Sequence, residues 1–228
     1  MPGTPFADAK VGAHHFARKT WGVDIRETVL AAARGVISQQ GASHLTMDAV
    51  AAEAGISKGG LLYHFPSKDA LWRELLRECH EDFIRNCQRE FRADPKPDRP
   101  GRIHRAWIRV FQKEDRSRSF NMDWNYVVMA ATNAQLASPV RAFRQGWTSF
   151  LAKDGLPEES TLIVRMTLEG CKMWQLIGPG TESESESGSN ENLFAKLLEI
   201  ATLENKQMDY ETEGDAWERC LLEAWKGT

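Results

Sequence analysis

Four residues suited to starting helices, Asp24, Thr46, Ser57 and Ser67, each stand directly before a segment with helical apolar spacing. Their side-chain oxygens can accept the backbone N–H groups that a helix start leaves unbonded. Strands have no such support, because no run of alternating β-branched residues lies between turn pairs. This punctuation restricts the first part of the chain to short, capped helices. Asp24 opens one in which Ile25, Val29, Ala32, Ala33 and Val36 share a face, and Gly41 closes it. Thr46 opens a second, 47–54, with Val50, Ala51 and Ala54 inward. Gly55 breaks the chain, and Ser57 opens a third helix that stops near Phe65-Pro66, where proline blocks continuation. Ser67 opens a long fourth helix with Leu71, Leu75, Phe83 and Ile84, running to about Phe91.

Residues 94–101 read as a loop, with three prolines and a glycine. Helical patterns return over 102–113, 120–136, 139–153, 158–177 and 191–207, with a last helix over 214–226 carrying Trp217, Leu221 and Trp225. Between them, Gly178-Pro179-Gly180 leads into 181–190, alternating glutamate and serine, which reads as a solvated loop. The expected fold is therefore all-α. The chain has 228 residues and 42% hydrophobic composition, enough for a small domain joined to a larger one. The expected division is a flexible arm over 1–23, a helix-turn-helix domain over 24–71, and a larger helical domain over 72–228, linked by the helix at about 68–91.

The second and third helices are short and joined by a tight turn at Gly55-Ile56-Ser57. This is a helix-turn-helix layout. Ala51 is small where the two helices cross, and Ile56 and Leu61 can fill the angle between them. Ser57 caps the third helix, so Lys58, Gly59 and Gly60 form the end that meets base edges when such a helix lies in a major groove. A formal net charge of −3 counts mildly against nucleic acid, but negative charge gathers beyond Glu182, leaving room for a locally positive face elsewhere.

The run from Leu45 through Thr46, Val50, Ala51, Gly55-Ile56-Ser57-Lys58-Gly59-Gly60, Tyr63-His64-Phe65 and Lys68 to Leu71 resembles the DNA-binding domain of the tetracycline-repressor (TetR) family. The resemblance implies DNA contacts from Thr46, Ser57, Lys58, Gly59, Gly60, Tyr63, His64 and Lys68. Thr46, Tyr63, His64 and Lys68 would hold phosphates. Lys58 would reach guanine O6 and N7, and the two glycines would let backbone approach the bases. Phe65 reads as a core aromatic instead. Leu62 stands where some family members carry a second tyrosine, which removes one phosphate donor. The arm's Arg18 and Lys19 are placed to enter a minor groove if that arm is ordered.

The helix over 158–177 is apolar nearly all round, so it needs cover on more than one side. Together with 191–207 it fits a four-helix bundle between two subunits, which the resemblance also implies, with Gly170 allowing close approach. A homodimer would set two recognition helices ~34 Å apart. Of the eight tryptophans, Trp107, Trp124, Trp147 and Trp174 fall in the central helices. Trp107, Trp124, Met166, Glu169, Met173 and Trp174 are the candidate ligand-binding residues. Glu169 and Asp123 would suit a cationic ligand, Arg105 and Arg109 an acidic one, so ligand charge stays open. The expected function is a repressor released from its DNA operator by a small, largely hydrophobic effector. The alternatives are an activator or a co-repressor-dependent regulator on the same fold, or a dimeric ligand binder with degenerate DNA binding. No nucleophile elbow, phosphate loop, dinucleotide fingerprint or metal spacing appears, so no enzyme, cofactor or metal is expected. No apolar run suits a membrane span or signal peptide, and cysteines 79, 87, 171 and 220 form no Cys-x-x-Cys pair, so a cytoplasmic protein with reduced thiols is expected.

Overall fold

The computed structural model describes residues 24–117, 133–177, 184–202 and 217. Among these residues the chain forms helices α1 (Ile25–Gln40), α2 (Met47–Glu53), α3 (Lys58–His64), α4 (Lys68–Arg92), α5 (Arg102–Ser117), α6 (Ala134–Leu151), α7 (Glu158–Ile177) and α8 (Glu184–Ile200), with a short 3-10 turn at Ala42–His44 and no strand. Each expected start residue caps its helix. Asp24 accepts the Arg26 N–H at 2.9 Å, and Thr46, Ser57 and Ser67 accept those of Ala49, Gly60 and Ala70, each at 3.1 Å. Gly55 takes φ +67° between α2 and α3, a conformation that a Cβ disfavours.

Two apolar cores form. The first joins α1 (Val29, Ala33, Ile37), α2 (Val50, Ala51) and α3 (Leu61) to Phe65 and to the start of α4 (Leu71, Trp72, Leu75, Leu76). The second takes the far half of α4 (Ile84, Cys87, Phe91), α5, α7 and α8. α6 enters both, with Leu136 and Val140 in the first core and Phe143, Trp147 and Leu151 in the second. At the seam, the His80 ring of α4 lies flat on Phe143 of α6, with centroids 3.7 Å apart and planes 5° apart.

Two buried polar clusters fix the end of the second core remote from α3. Asp94 holds Arg105 and Arg109, and Arg105 also donates to the carbonyls of Lys96, Arg99, Pro100 and Ala201. Burial alone would raise the Asp94 carboxyl, but the Arg105 hydrogen bonds and the Arg105 and Arg109 charges hold it below its ordinary value. Asp154, after α6, accepts the backbone N–H groups of Ile103 and His104 at 3.0 and 2.9 Å and the His104 ring at 2.6 Å. α5 therefore has its N-terminal cap supplied from about fifty positions away. Gly101 permits this closure, since a Cβ there would collide with the Ala201 carbonyl.

Several helix boundaries differ from the sequence expectation. The expected solvated loop over 181–190 is helical from Glu184 onward, because α8 begins there. Its later turns bury Phe194 and Leu197, and once such turns are nucleated, adding earlier ones is inexpensive. α8 also stops at Ile200, short of 207, in a turn at 201–202. α6 starts at Ala134, so Pro139 lies inside it rather than at its start. Burial of Leu136 and Val140 on either side offsets the lost amide donor. α4 reaches Arg92 and α5 extends to Ser117. The expected arm, the part of the expected 120–136 helix before 133 and all of 214–226 but Trp217 lie outside the described residues.

Removing the Asp154 carboxylate strands two buried N–H groups and a buried imidazole. Asp154→Ala is expected to cost about 3–5 kcal/mol, read as a shift in urea midpoint at constant slope. Burial pushes the His80 imidazole from its usual 6.5 down to about 3. The folded state thus binds no proton there where the unfolded chain does, and stability falls as pH drops below 6.5. Between pH 7 and pH 5 the native chain should lose up to about 2 kcal/mol more stability than His80→Leu, measured by urea unfolding at both pH values.

Candidate nucleic-acid interface and effector domain

The residues expected to touch DNA collect around α3. Ser57, Lys58, Gly59 and Gly60 are exposed along its first turn, and Thr46 is exposed at the start of α2. The cap hydroxyls of Thr46 and Ser57 accept backbone N–H groups, which leaves each its own proton to donate outward. Tyr63 is 85% exposed and meets His64 edge-on at 5.2 Å, so it packs in no core. Phe65, by contrast, is 1% exposed, with the Arg26 guanidinium over its ring at 4.7 Å. Lys68 is the first residue of α4 and half-buried. Leu62 is exposed beside Tyr63 and offers no donor.

The two glycines of α3 are not demanded by backbone conformation. Neither has positive φ, and a Cβ at Gly59 would meet nothing closer than the Ser57 Oγ at 4.0 Å. At Gly60 the same atom would lie 3.3 Å away, close enough that the Ser57 cap hydroxyl would have to give. Glycine inside a helix costs up to about 1 kcal/mol relative to alanine. What these positions provide is a bare backbone facing outward. The Lys58 ammonium lies 3.0 Å from both carboxylate oxygens of Asp48, in the first turn of α2. Sequence reading missed that partner. Its only trace is an acidic residue near the start of the helix preceding the turn.

The expected ligand-binding residues separate into two places. Trp107 is buried in the second core, edge-to-face with Trp147 at 5.6 Å. Trp147 in turn meets Phe83, Phe150 and Trp217, making an aromatic cluster in which Trp107 is the one candidate ligand-binding residue. Met166, Met173 and Trp174 lie on the outward face of α7, 48%, 40% and 58% exposed, together with Leu162 and Ile163. Among the described residues, no other part of the fold lies within 4 Å of where a Cβ at Gly170 would stand. Glu169 is paired with Arg144 at 2.8 Å. Trp124 and Asp123 lie outside the described residues. Arg105 is engaged by Asp94 and four carbonyls, so an acidic ligand would have to displace internal partners to use it.

Comparison with known proteins covers both halves. Residues 29–75 match the model of the bacterial regulatory proteins of the tetR family, and residues 101–202 match the tetracyclin repressor-like C-terminal domain. Among solved structures, the multidrug binding protein EbrR complexed with ethidium is similar at 23% identity and TM-score 0.55, spanning 78% of this chain and 98% of that one. A TetR-family member from Streptomyces coelicolor A3 is similar at 21% identity and TM-score 0.54, spanning 77% and 98%. A transcriptional regulator from Rhodococcus sp. Rha1 is similar at 23% identity and TM-score 0.53, spanning 77% and 90%. No curated protein matches significantly by sequence. Among the described residues, no helix is long and apolar enough to cross a membrane.

Gly59→Ala is expected to hold or raise the melting temperature, because it adds a helix-favouring methyl in open space. The same variant should bind duplex DNA more weakly, by anisotropy titration. A drop in melting temperature would show that the glycine serves packing.

Proposed function

The chain belongs to the tetR family of bacterial regulatory proteins and is a transcriptional regulator with a ligand-binding domain; on that premise we propose that it is a cytoplasmic, homodimeric repressor released from its operator by a small, largely hydrophobic effector. The observation that carries this reading is the first turn of α3. It presents an exposed lysine, a cap hydroxyl and two glycines whose backbone conformation does not demand them. Lys58 reads a base edge, Gly59 and Gly60 admit close approach, and Thr46, Ser57, Tyr63, His64 and Lys68 hold the backbone. The DNA-reading unit is taken as 24–71, joined by α4 to the effector domain over 72–228.

The outward face of α7 supports the homodimer. Leu162, Ile163, Met166, Met173 and Trp174 form an apolar surface on a single chain, and a second copy would cover it. The aromatic cluster around Trp107 and Trp147 supports a hydrophobic effector, since such walls adapt to flat apolar molecules. The solved complex of EbrR with ethidium lends the same direction. In this reading Trp107 and Trp124 serve the effector, while Met166, Met173 and Trp174 serve the partner subunit. Glu169 then contributes through its pair with Arg144 at the edge of that face. Release follows from a two-state shift. An effector that fits only the conformation with misplaced recognition helices empties the operator, and a near-complete shift needs ~5.5 kcal/mol of differential affinity.

The test is binding to the DNA flanking its own gene, with and without a panel of hydrophobic ligands, at stated salt. Sequence-selective, salt-dependent binding that an effector weakens is expected; a folded dimer that binds no sequence selectively would overturn the reading. Lys58→Ala should relax preference at one base pair by about 1–3 kcal/mol, whereas Lys68→Ala should weaken all duplexes alike.

A further inference from the structure

The lysine assigned to base reading is already engaged by a neighbour. Lys58 Nζ lies 3.0 Å from Asp48 Oδ1 and 3.0 Å from Oδ2, although both side chains are more than half exposed. An exposed pair of this kind adds little to stability. Its effect falls on what the ammonium does when a duplex arrives. An unpaired lysine at the head of a recognition helix is drawn to the nearest phosphate on any sequence. A lysine neutralised by a carboxylate gains much less from that encounter, because the phosphate must break the pair and the carboxylate is itself repelled.

A base edge presents different chemistry. The ammonium has three donors, one of them bonded to Asp48 Oδ2 with Oδ1 also 3.0 Å away, so a donor remains for an outside acceptor. Guanine offers O6 and N7 in the major groove, and its paired cytosine offers the N4 amino donor beside them. The Asp48–Lys58 pair presents the complementary arrangement, a donor next to an acceptor. We propose that Asp48 is a specificity-determining residue that acts through Lys58, withholding it from phosphates and presenting it to a G·C edge. The proposal rests on the reading of Lys58 as the base-contacting residue. It adds that discrimination comes as much from suppressed non-specific binding as from a gained contact.

The test uses the full-length protein and two probes, a duplex enriched by the native protein from a randomised library and a scrambled duplex of equal length. Binding is titrated over a series of salt concentrations, and folding is checked by melting temperature. Asp48→Asn should bind the scrambled duplex about tenfold tighter, with a log–log salt slope steeper by about one, the signature of one more neutralised phosphate. Binding to the enriched duplex should change by less than about threefold, so the preference falls. Asp48→Glu, which keeps the charge, should restore the native ratio, and in a Lys58→Ala background Asp48→Asn should leave the ratio unchanged. Equal tightening on both duplexes, or a ratio effect that persists without Lys58, would overturn the inference and leave a general charge effect. If the native protein enriches no sequence, the DNA-reading function fails and takes the inference with it. If it does, and Lys58→Ala relaxes its preference while Asp48→Asn does not, the inference about Asp48 fails alone.

Discussion

α4 buries its two ends in different cores. Leu71, Trp72, Leu75 and Leu76 close the core beneath the recognition helix, and Ile84, Cys87 and Phe91 belong to the core of the second domain. The helix has 25 residues, about 38 Å at standard rise, and carries no proline. α6 runs as a second strut between the same two cores, and the His80–Phe143 stack joins the struts at the seam. The ion pairs Arg26–Glu74 and Arg34–Glu78 tie α1 to the flank of α4. The orientation of α3 therefore depends on packing that begins far from it, since close-packed cores transmit displacement rather than absorb it.

That arrangement requires the second domain to be well anchored at its far end, and buried polar chemistry supplies the anchor. Arg105 and Asp94 join the 94–101 connection to the end of α8, while Asp154 joins the segment after α6 to the first turn of α5. Burying these groups is costly, so they specify how the helices meet more than they add stability. The centre of the domain is left to aromatic side chains around Trp147. The second domain thus combines a hydrogen-bonded base, an aromatic interior and two helices shared with the first core.

The contrast between α3 and α7 shows how much was legible before any fold was known. The caps of α1 to α4 were readable because each involves atoms no more than three residues apart, as with Thr46 and Ala49. The glycine turn and the tyrosine-histidine-phenylalanine run were readable for the same reason. α7 was legible as a helix, but its apolar residues lie on nearly every side, so periodicity could not say which would face the chain's own core. Packing selects Val164 and Leu168 for the inside and leaves Met166, Met173 and Trp174 outside.

Local sequence, then, was enough for the first four helices with their caps, the helix-turn-helix and the family to which that motif belongs. These are local matters, set by hydrogen bonds and side-chain spacing within one or two turns. Packing in three dimensions was needed to bring Asp48 onto Lys58, to cap α5 with Asp154 and to place α4 and α6 in two cores together. Each of those joins residues from separate elements, and their meeting depends on how whole helices pack, which no local spacing encodes.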